Sequence, residues 1–344
     1  MDIQELLSFC LTQGASDLHL SAGLPPMIRI DGDMRRINLP VFPDEAIREW
    51  IMATMTDAQK TAYEADLEID YAYEIPGVSR FRVNAFTQSR GAGAVFRVIP
   101  DKVQTLEQLG MGEVFRKIVE APRGLILVTG PTGSGKSTTL AAMIDFINQH
   151  RHLHILTIED PIEFVHESKK CLINQREVHR DTHSFSTALR SALREDPDVI
   201  MVGELRDLET VRLALTAAET GHLVLGTLHT TSAAKTVDRV IDVFPAAEKS
   251  MVRSMLSESL HAVVSQTLVK KTGGGRVAAH EVMLGTPGVR NLIREDKVAQ
   301  LHASIQTGGA LGMQTLDMCL KGLISKGVIT RESAMEKAFA REDF

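Results

Sequence analysis

Cysteine is scarce in this 344-residue sequence, which contains three: Cys10, Cys171 and Cys319. No two of them stand at the spacing of metal ligands, so the sequence predicts neither a disulfide framework nor a zinc ribbon. Long apolar runs are lacking too, since none approaches the ~20 residues that span a bilayer. The first residues also lack the basic and apolar pattern of a signal peptide. We therefore expect a cytoplasmic protein with no direct membrane insertion.

An excess of positive charge is also missing. The chain has 38 lysines and arginines against 44 aspartates and glutamates, a formal net charge of -6. Proteins that coat nucleic acid normally carry a basic surface, so this balance predicts no nucleic-acid partner. Apolar residues make up 44% of the chain, as in ordinary globular proteins, and the length suits about two domains.

The first part of the chain, residues 1–100, has the mixed pattern of an α+β domain. Apolar residues recur at helical spacing from Ile3 to Cys10, and a second helix is predicted over 44–65. Asp31-Gly32, between two short segments rich in apolar residues, is typical of a β-hairpin. Three further strands are predicted over 67–75, 79–87 and 93–99. Together these segments predict a small antiparallel sheet.

Residues 101–123 carry one short helix and are predicted to link the first domain to a second, residues 124–344. There, apolar strands alternate with amphipathic helices, the pattern of a parallel α/β sheet. After Ser250 we expect a mainly helical C-terminal region, with a turn at Gly273–Gly275 before a strand over 276–283. Four earlier strands are almost continuously apolar, as strands covered on both faces should be: Leu125–Thr129, His154–Ile158, Asp198–Val202 and His222–Gly226.

A glycine-rich segment carries the clearest chemistry. Gly130-Pro-Thr-Gly-Ser-Gly-Lys-Ser137 matches the P-loop pattern GxxxxGK[ST] between an apolar strand and a predicted helix. Its glycines let backbone N–H groups wrap a phosphate chain, and the helix N-terminus adds a partial positive charge. Lys136 is predicted to reach the β- and γ-phosphates of ATP, and the Ser137 hydroxyl to ligate Mg²⁺. The predicted nucleotide-binding residues are Gly130, Pro131, Thr132, Gly133, Ser134, Gly135, Lys136, Ser137 and Thr138.

An acidic residue, Glu204, follows the predicted strand Asp198–Val202 at the edge of the sheet where ligands bind. This arrangement is typical of a Walker B element, whose acid holds Mg²⁺, often through water. A carboxylate after such a strand alternatively caps the next helix, a role that is open to Asp207. Beside a P-loop, we favour the magnesium role for Glu204.

Three carboxylates, Glu159, Asp160 and Glu163, crowd the end of another predicted strand. We predict that Glu163 activates the attacking water, while Glu159 and Asp160 fix the turn or interdomain contacts. Two histidines bracket a fourth strand. His229, at its carboxyl end, is predicted to sense the γ-phosphate, and His222, at its start, is predicted to be structural.

Basic side chains alternate with apolar ones on two predicted strands of the first domain. Arg80 and Arg82 lie on one strand and Arg97 on the other. A solvated basic face is the simpler interpretation for an isolated domain. An ATPase also needs positive charge opposite the γ-phosphate, and Arg82 or Arg97 could supply it as an arginine finger. With a P-loop in the same chain, we favour that interpretation.

Four segments are highly specific in combination: the P-loop, Thr157–Glu163, Gly203-Glu204 and Gly221–Thr230. Through them the chain resembles, over nearly its whole length, the retraction ATPases of bacterial type IV pili, the PilT type of the secretion ATPase superfamily. The resemblance implies an α/β fold in which a PAS-like N-terminal domain and a RecA-like P-loop ATPase domain form a ring hexamer. It also implies that Glu163 is the catalytic base, that Glu204 lies on the magnesium, and that Arg82 and Arg97 complete the site.

The implied function is ATP hydrolysis that drives pilin removal and twitching motility through an inner-membrane platform protein of the PilC type. The motor would lie in the cytoplasm, peripheral at the inner-membrane face, and a PilU-like paralogue is a further candidate partner. Gly288–Arg294 resembles an element that these ATPases need for retraction but not for hydrolysis, with Gly288-Val289 in place of Ala-Ile. Related assembly ATPases usually carry an extra N-terminal domain and often a four-cysteine zinc site, so the pattern favours retraction.

Three alternative functions are compatible with the sequence. The first is an accessory retraction ATPase of the PilU type, which shares the architecture. The second is a nucleotide-gated scaffold without productive turnover, against which the pair Glu163 and Glu204 argues. The third is a DNA-translocating RecA-like ATPase, which the acidic charge balance disfavours.

Overall fold

The structure, a computed structural model, describes residues 2–99 and 102–344. The chain forms two compact units, Met1–Lys102 and Val103–Phe344. The domain boundary predicted between residues 100 and 101 lies outside the described residues, so the division into 1–100, 101–123 and 124–344 stays a prediction. Among the described residues, no helix combines the length and the apolarity needed to cross a membrane.

The first unit has this order of elements: α1 (Ile3–Thr12), β1 (Asp17–Ser21), β2 (Met27–Ile30), β3 (Asp33–Arg36), α2 (Asp44–Ala53), α3 (Asp57–Asp66), β4 (Glu68–Ile75), β5 (Ser79–Gln88) and β6 (Gly91–Ile99). These strands form an antiparallel sheet in the order β3-β2-β1-β6-β5-β4. The predicted strands over 67–75, 79–87 and 93–99 are therefore confirmed. The predicted hairpin is confirmed as well, because Asp31 and Gly32 join β2 to β3 with φ angles of 50° and 92°.

The alternation along β5 separates a buried face of the sheet from an exposed one. Phe81, Val83 and Ala85 are fully buried and belong to one apolar cluster with Ile47 and Ile51 of α2. Arg80, Arg82 and Asn84, which alternate with these residues, point to the other face, because successive side chains of a strand alternate. The sequence pattern thus fixes which side of this sheet carries charge.

The single helix predicted over 44–65 is wrong, because the segment forms α2 and α3 with a break between them. Thr54 ends the first helix, and its Oγ1 donates to the Ile51 carbonyl at 2.7 Å. Thr56 and Gln59 then form a capping box that starts the second helix. This capping box marks a new N-terminus, which the prediction of one continuous helix did not include.

The second unit has this order of elements: α4 (Glu113–Val119), β7 (Gly124–Thr129), α5 (Lys136–His150), β8 (His154–Glu159), β9 (Leu172–Glu177), α6 (Phe185–Ala192), β10 (Val199–Val202), α7 (Leu208–Glu219), β11 (Leu223–Leu228), α8 (Ala233–Asp242), α9 (Lys249–Ser259), β12 (Leu260–Lys270), β13 (Arg276–Leu284), α10 (Pro287–Arg294), α11 (Leu301–Thr307), α12 (Leu316–Ser325) and α13 (Arg331–Met335). Its sheet has the order β13-β12-β7-β11-β10-β8-β9. Neighbouring strands are parallel except β12 and β13, which are antiparallel.

Both faces of this sheet are covered, as the four apolar segments predict. Along β7, Leu125 and Leu127 join an apolar cluster that includes residues of α6–α11, while Ile126 and Val128 join a second cluster with α4 and α5. Every residue of β7 and β11 is buried. The prediction of an α/β fold with a central, largely parallel sheet is confirmed.

The prediction of a mainly helical region after Ser250 is wrong for one long segment. α9 ends at Ser259, and β12 follows directly as a strand of 11 residues. No glycine or proline separates the two elements, so the sequence contains no turn signal at their junction. The segment Leu260–Val264, buried except for the partly buried His261, is compatible with a helix or a strand until it pairs with β7. The predicted strand over 276–283 and the turn at Gly273–Gly275 are confirmed.

Candidate nucleotide site

Four neighbouring strands end at the same edge of the second sheet. β7, β11, β10 and β8 are parallel neighbours in that order. The P-loop follows β7, His229 follows β11, Glu204 follows β10 and Glu163 follows β8. Because parallel strands place their carboxyl ends at one edge, the sheet brings these sequence-predicted residues together.

The P-loop has a backbone that suits a phosphate chain. Gly130, Gly133 and Gly135 have φ angles of 148°, 74° and 89°, which side-chain-bearing residues rarely adopt. A Cβ at Gly133 would meet no atom within 4 Å. The Ser134 Oγ is buried and has no hydrogen-bond partner in the described part of the chain. Since α5 begins at Lys136, backbone N–H groups and the positive end of the helix face this loop, and the residues fit a bound nucleotide phosphate.

The side chain of Lys136 folds back onto the start of the P-loop. Its Nζ donates to the carbonyls of Gly130 at 2.9 Å and Pro131 at 3.1 Å, and lies 3.4 Å from His229 Nδ1. Burial lowers the pKa of Lys136, and the negative charges of Glu204 and Glu163 partly oppose that effect. The two predicted catalytic carboxylates therefore act electrostatically on the P-loop lysine.

Glu204 is held by two basic partners. Its Oε1 lies 3.1 Å from His229 Nε2, and its Oε2 lies 2.8 Å from Arg206 Nε. The alternative role of capping the next helix belongs instead to Asp207, whose Oδ1 accepts from the Thr210 N–H at 2.9 Å. The Glu204 carboxylate thus contacts His229, whose Nδ1 lies 3.4 Å from the Lys136 Nζ of the P-loop.

The carboxylates after β8 occupy two environments. Glu159 is buried, and its Oε1 accepts from Thr157 Oγ1 at 2.7 Å and from Gln175 Nε2 at 3.1 Å. Burial raises the pKa of Glu159 to about 7. Its Oε2 faces the Glu163 N–H at 3.5 Å, so Glu159 supports the turn that carries Glu163. Glu163 itself is only partly buried, as a residue that handles water must be.

The two histidines that flank β11, His222 and His229, lie at opposite ends of the strand. His222 Nδ1 lies 3.0 Å from the Ala217 carbonyl, at the end remote from the P-loop, which suits its predicted structural role. Next to His229, Thr230 Oγ1 contacts Thr236 Oγ1 of α8 at 2.7 Å. A change at His229 therefore has a short covalent and hydrogen-bonded route into α8, although the sensor role remains a prediction.

Arg82 and Arg97 belong to the first unit, where they lie opposite each other on β5 and β6. Arg97 Nε donates to Asp17 Oδ1 at 2.8 Å, and Arg82 Nε lies 3.8 Å from Asp70 Oδ1. Like charges directly opposite each other destabilise a sheet unless something compensates them, and the two aspartates do so here. Their contribution to the nucleotide site stays a prediction.

One residue near the loop was missed by the sequence analysis. Gln266 of β12 contacts the P-loop and the first turn of α5, and it is 3% exposed. Its sequence signal is weak: three polar residues, Ser265, Gln266 and Thr267, stand between apolar residues of β12. Because β12 itself was not predicted, this signal had no structural context.

Comparison with known proteins identifies relatives over the whole chain. The sequence model of the family described as "Type II/IV secretion system protein" matches residues 1–273. The type IV pilus retraction ATPase PilT of Pseudomonas aeruginosa is 73% identical over 344 residues, which are 100% of both chains. The type IV pilus ATPase PilU of the same organism is 40% identical over 344 residues, 100% of this chain and 90% of PilU. A crystal structure of the pilus retraction motor PilT with bound ADP is 45% identical, covers 100% of this chain and 99% of that chain, and has a TM-score of 0.88.

Proposed function

Because the chain belongs to the family of type II/IV secretion system proteins and is an ATPase of the pilus-retraction type, we propose that it works as a ring hexamer that couples ATP hydrolysis to the removal of pilin from type IV pili. The observation that carries the proposal is the joint presence, at one sheet edge, of the P-loop, Glu163, Glu204 and His229. This set goes beyond nucleotide binding, because it includes the groups that hydrolysis needs.

Phosphate binding is the task of the P-loop. The N–H groups of the P-loop, to which Pro131 contributes none, would surround the phosphates, and Lys136 would add a charge that its burial keeps away from bulk water. Ser137 and Glu204 would hold Mg²⁺, one by its hydroxyl and the other by its carboxylate. Magnesium neutralises charge on the phosphates, which lowers the barrier to transfer of the γ-phosphoryl group.

Water activation falls to Glu163 rather than to Glu159. The Glu163 carboxylate is partly exposed and would accept a proton from the attacking water, whereas Glu159 is buried and bonded to Thr157 and Gln175. His229, which lies next to Lys136, would respond to the presence of the γ-phosphate. The neighbouring Thr230, which contacts Thr236 of α8, would transmit this response to the helix. Binding and hydrolysis are thereby linked to movement of a helix.

The ring assembly would supply the remaining positive charge. Arg82 and Arg97 of the first unit are the candidates for arginine fingers that complete an ATP site across the assembly. We propose that the ring lies in the cytoplasm at the inner-membrane face, against a PilC-like platform protein, and that a PilU-like paralogue is a further partner. Neither nucleic acid nor insertion into the membrane is part of this proposal.

The main retraction motor is favoured over the accessory paralogue because of the identities: 73% to PilT and 40% to PilU over the same 344 residues. The segment predicted to serve retraction forms α10, with Val289 and Ile293 fully buried. Arg290 donates to the carbonyls of Gly285 at 2.7 Å and Glu258 at 2.8 Å, so α10 is tied to its neighbours. These contacts are consistent with an element that transmits motion.

A chromosomal Lys136→Ala variant tests the function. We expect excess surface pili, no twitching, and no Mg²⁺-dependent ATP turnover in the purified protein. Lys117→Ala, which replaces an exposed lysine of α4, is the matched control and should leave surface piliation, twitching and ATP turnover unchanged. Bald cells would identify an assembly motor, and undiminished turnover of Lys136→Ala would contradict the site.

A further inference from the structure

We propose that Gln266 is a positioning residue that holds the P-loop in its phosphate-binding shape by clamping it against β12. The inference rests on the proposed nucleotide site and deepens it. Gln266 touches the loop but belongs to a different part of the chain, 132 residues beyond Ser134. Its effect on nucleotide is therefore exerted through the loop.

Both ends of the Gln266 amide are used. Nε2 donates to the Ser134 carbonyl at 2.7 Å, and Oε1 accepts from Thr139 Oγ1 at 2.8 Å. Ser134 lies in the loop and Thr139 in the first turn of α5, so the side chain ties the two segments that form the phosphate cradle. A glutamine buried to this degree is costly unless its polar atoms are paired, and here they are.

The main chain of Gln266 forms the other side of the clamp. A Cβ at Gly130 would lie 2.3 Å from the Gln266 carbonyl oxygen, and a Cβ at Gly135 would lie 3.2 Å from Nε2. Two motif glycines are thus packed directly on this one residue. The loop is held at its start by the Gln266 backbone and at its end by the Gln266 side chain.

Loss of the side-chain contacts should loosen the cradle without removing any group that touches the nucleotide. Gln266→Leu keeps much of the volume and removes both hydrogen bonds. We expect the Kd for ADP and the KM for ATP to rise about 10-fold, which corresponds to about 1.4 kcal/mol. The kcat at saturating ATP should change by less than about threefold, because Lys136, Glu163 and Glu204 are all present.

The experiment uses the full chain, a fluorescent ADP analogue for Kd, steady-state kinetics for kcat and KM, and the melting temperature without nucleotide. Gln314→Leu is the matched control, because Gln314 Nε2 donates to the His280 carbonyl at 3.1 Å on β13, away from the loop. It should lower the melting temperature but leave ADP affinity unchanged. If Gln266→Leu likewise lowers only the melting temperature, the residue is merely structural and the proposal is wrong.

Two further variants keep the test decisive if Gln266→Leu does not fold. Thr139→Val removes one of the two contacts and should raise the Kd for ADP about threefold. Gln266→Glu can donate to the Ser134 carbonyl only when protonated, so its ADP affinity relative to wild type should improve at low pH. Unchanged affinity in both variants would overturn the clamp. Failure of the wild type to bind ADP would instead refute the nucleotide site itself.

Discussion

Replacing Gly130 by alanine should destabilise the second unit more than the same replacement in an open turn. The added Cβ would lie 2.3 Å from the Gln266 carbonyl oxygen and 2.6 Å from Ser134 Oγ. The Gln266 carbonyl is backbone of β12, a strand that is paired on both sides and cannot turn away. The φ angle of 148° adds strain, since side-chain-bearing residues rarely adopt it.

The magnitude follows from these two contributions. Overpacking a tight site costs about 1–3 kcal/mol, and a strained backbone conformation costs about 1–3 kcal/mol more. Gly130→Ala should therefore lower the free energy of unfolding by roughly 4 kcal/mol, the middle of the summed range. Gly273→Ala is the control. Gly273 has a φ of 89° and no atom within 4 Å of its Cβ position, so only the left-handed backbone contributes, about 1–2 kcal/mol.

Urea denaturation of the nucleotide-free protein, followed by circular dichroism, measures both variants under one condition. Because the chain has two units, the comparison must use the transition that belongs to the second one. Gly130→Ala should have the lower midpoint. Equal midpoints for Gly130→Ala and Gly273→Ala would refute the close packing of the P-loop on β12, and with it the basis for the Gln266 clamp.

Two other predictions address charge and assembly. The pKa of Glu159 is raised from 4.5 to about 7, so its contribution to stability is complete below the unfolded pKa and is lost as pH rises through about 7. Relative to Glu159→Gln, the wild type should therefore lose about 3 kcal/mol of unfolding free energy between pH 4.5 and pH 8; parallel pH curves would contradict the burial of this carboxyl. For assembly, the variants Lys136→Ala and Arg97→Ala should each be inactive alone. Rings assembled from both variants should regain ATP turnover, because some of their sites then contain both an intact Lys136 and an intact Arg97. Turnover no higher than the sum of the two separate variants would argue against a shared site.

The P-loop region was predictable because its determinants are local. An apolar strand, a glycine-rich loop and a helix follow each other within residues 124–150, and each is recognisable from its own residues. The same holds for Glu204, which follows a buried strand of four residues after one intervening glycine, Gly203. Such units were predicted correctly as strands and helices without knowledge of the rest of the chain.

Features that depend on distant partners were not predictable. β12 is a strand because it pairs with β7 and β13, and its sequence alone is compatible with a helix. The contact of Gln266 with Ser134 was not predictable either, because Gln266 lies on this strand and the two residues are 132 positions apart. The break between α2 and α3 is different: its capping box at Thr56 and Gln59 is a local signal, and the prediction of one continuous helix did not take it into account.

The order of the strands in the sheet distinguishes the roles of the predicted site residues, whereas their order along the chain does not. Along the chain the P-loop is followed by Glu163, Glu204 and His229, but across the sheet the strands of His229 and Glu204 lie nearer to β7 than the strand of Glu163. With its proton on Nε2, His229 donates to Glu204 and can accept from Lys136, so these three side chains form a continuous chain of contacts. Groups that hold a metal ion or sense a phosphate must lie beside the P-loop, whereas a group that activates water must lie farther out, beyond the γ-phosphate. The strand order therefore favours Glu204 for holding the metal ion, His229 for sensing the phosphate and Glu163 for activating the water.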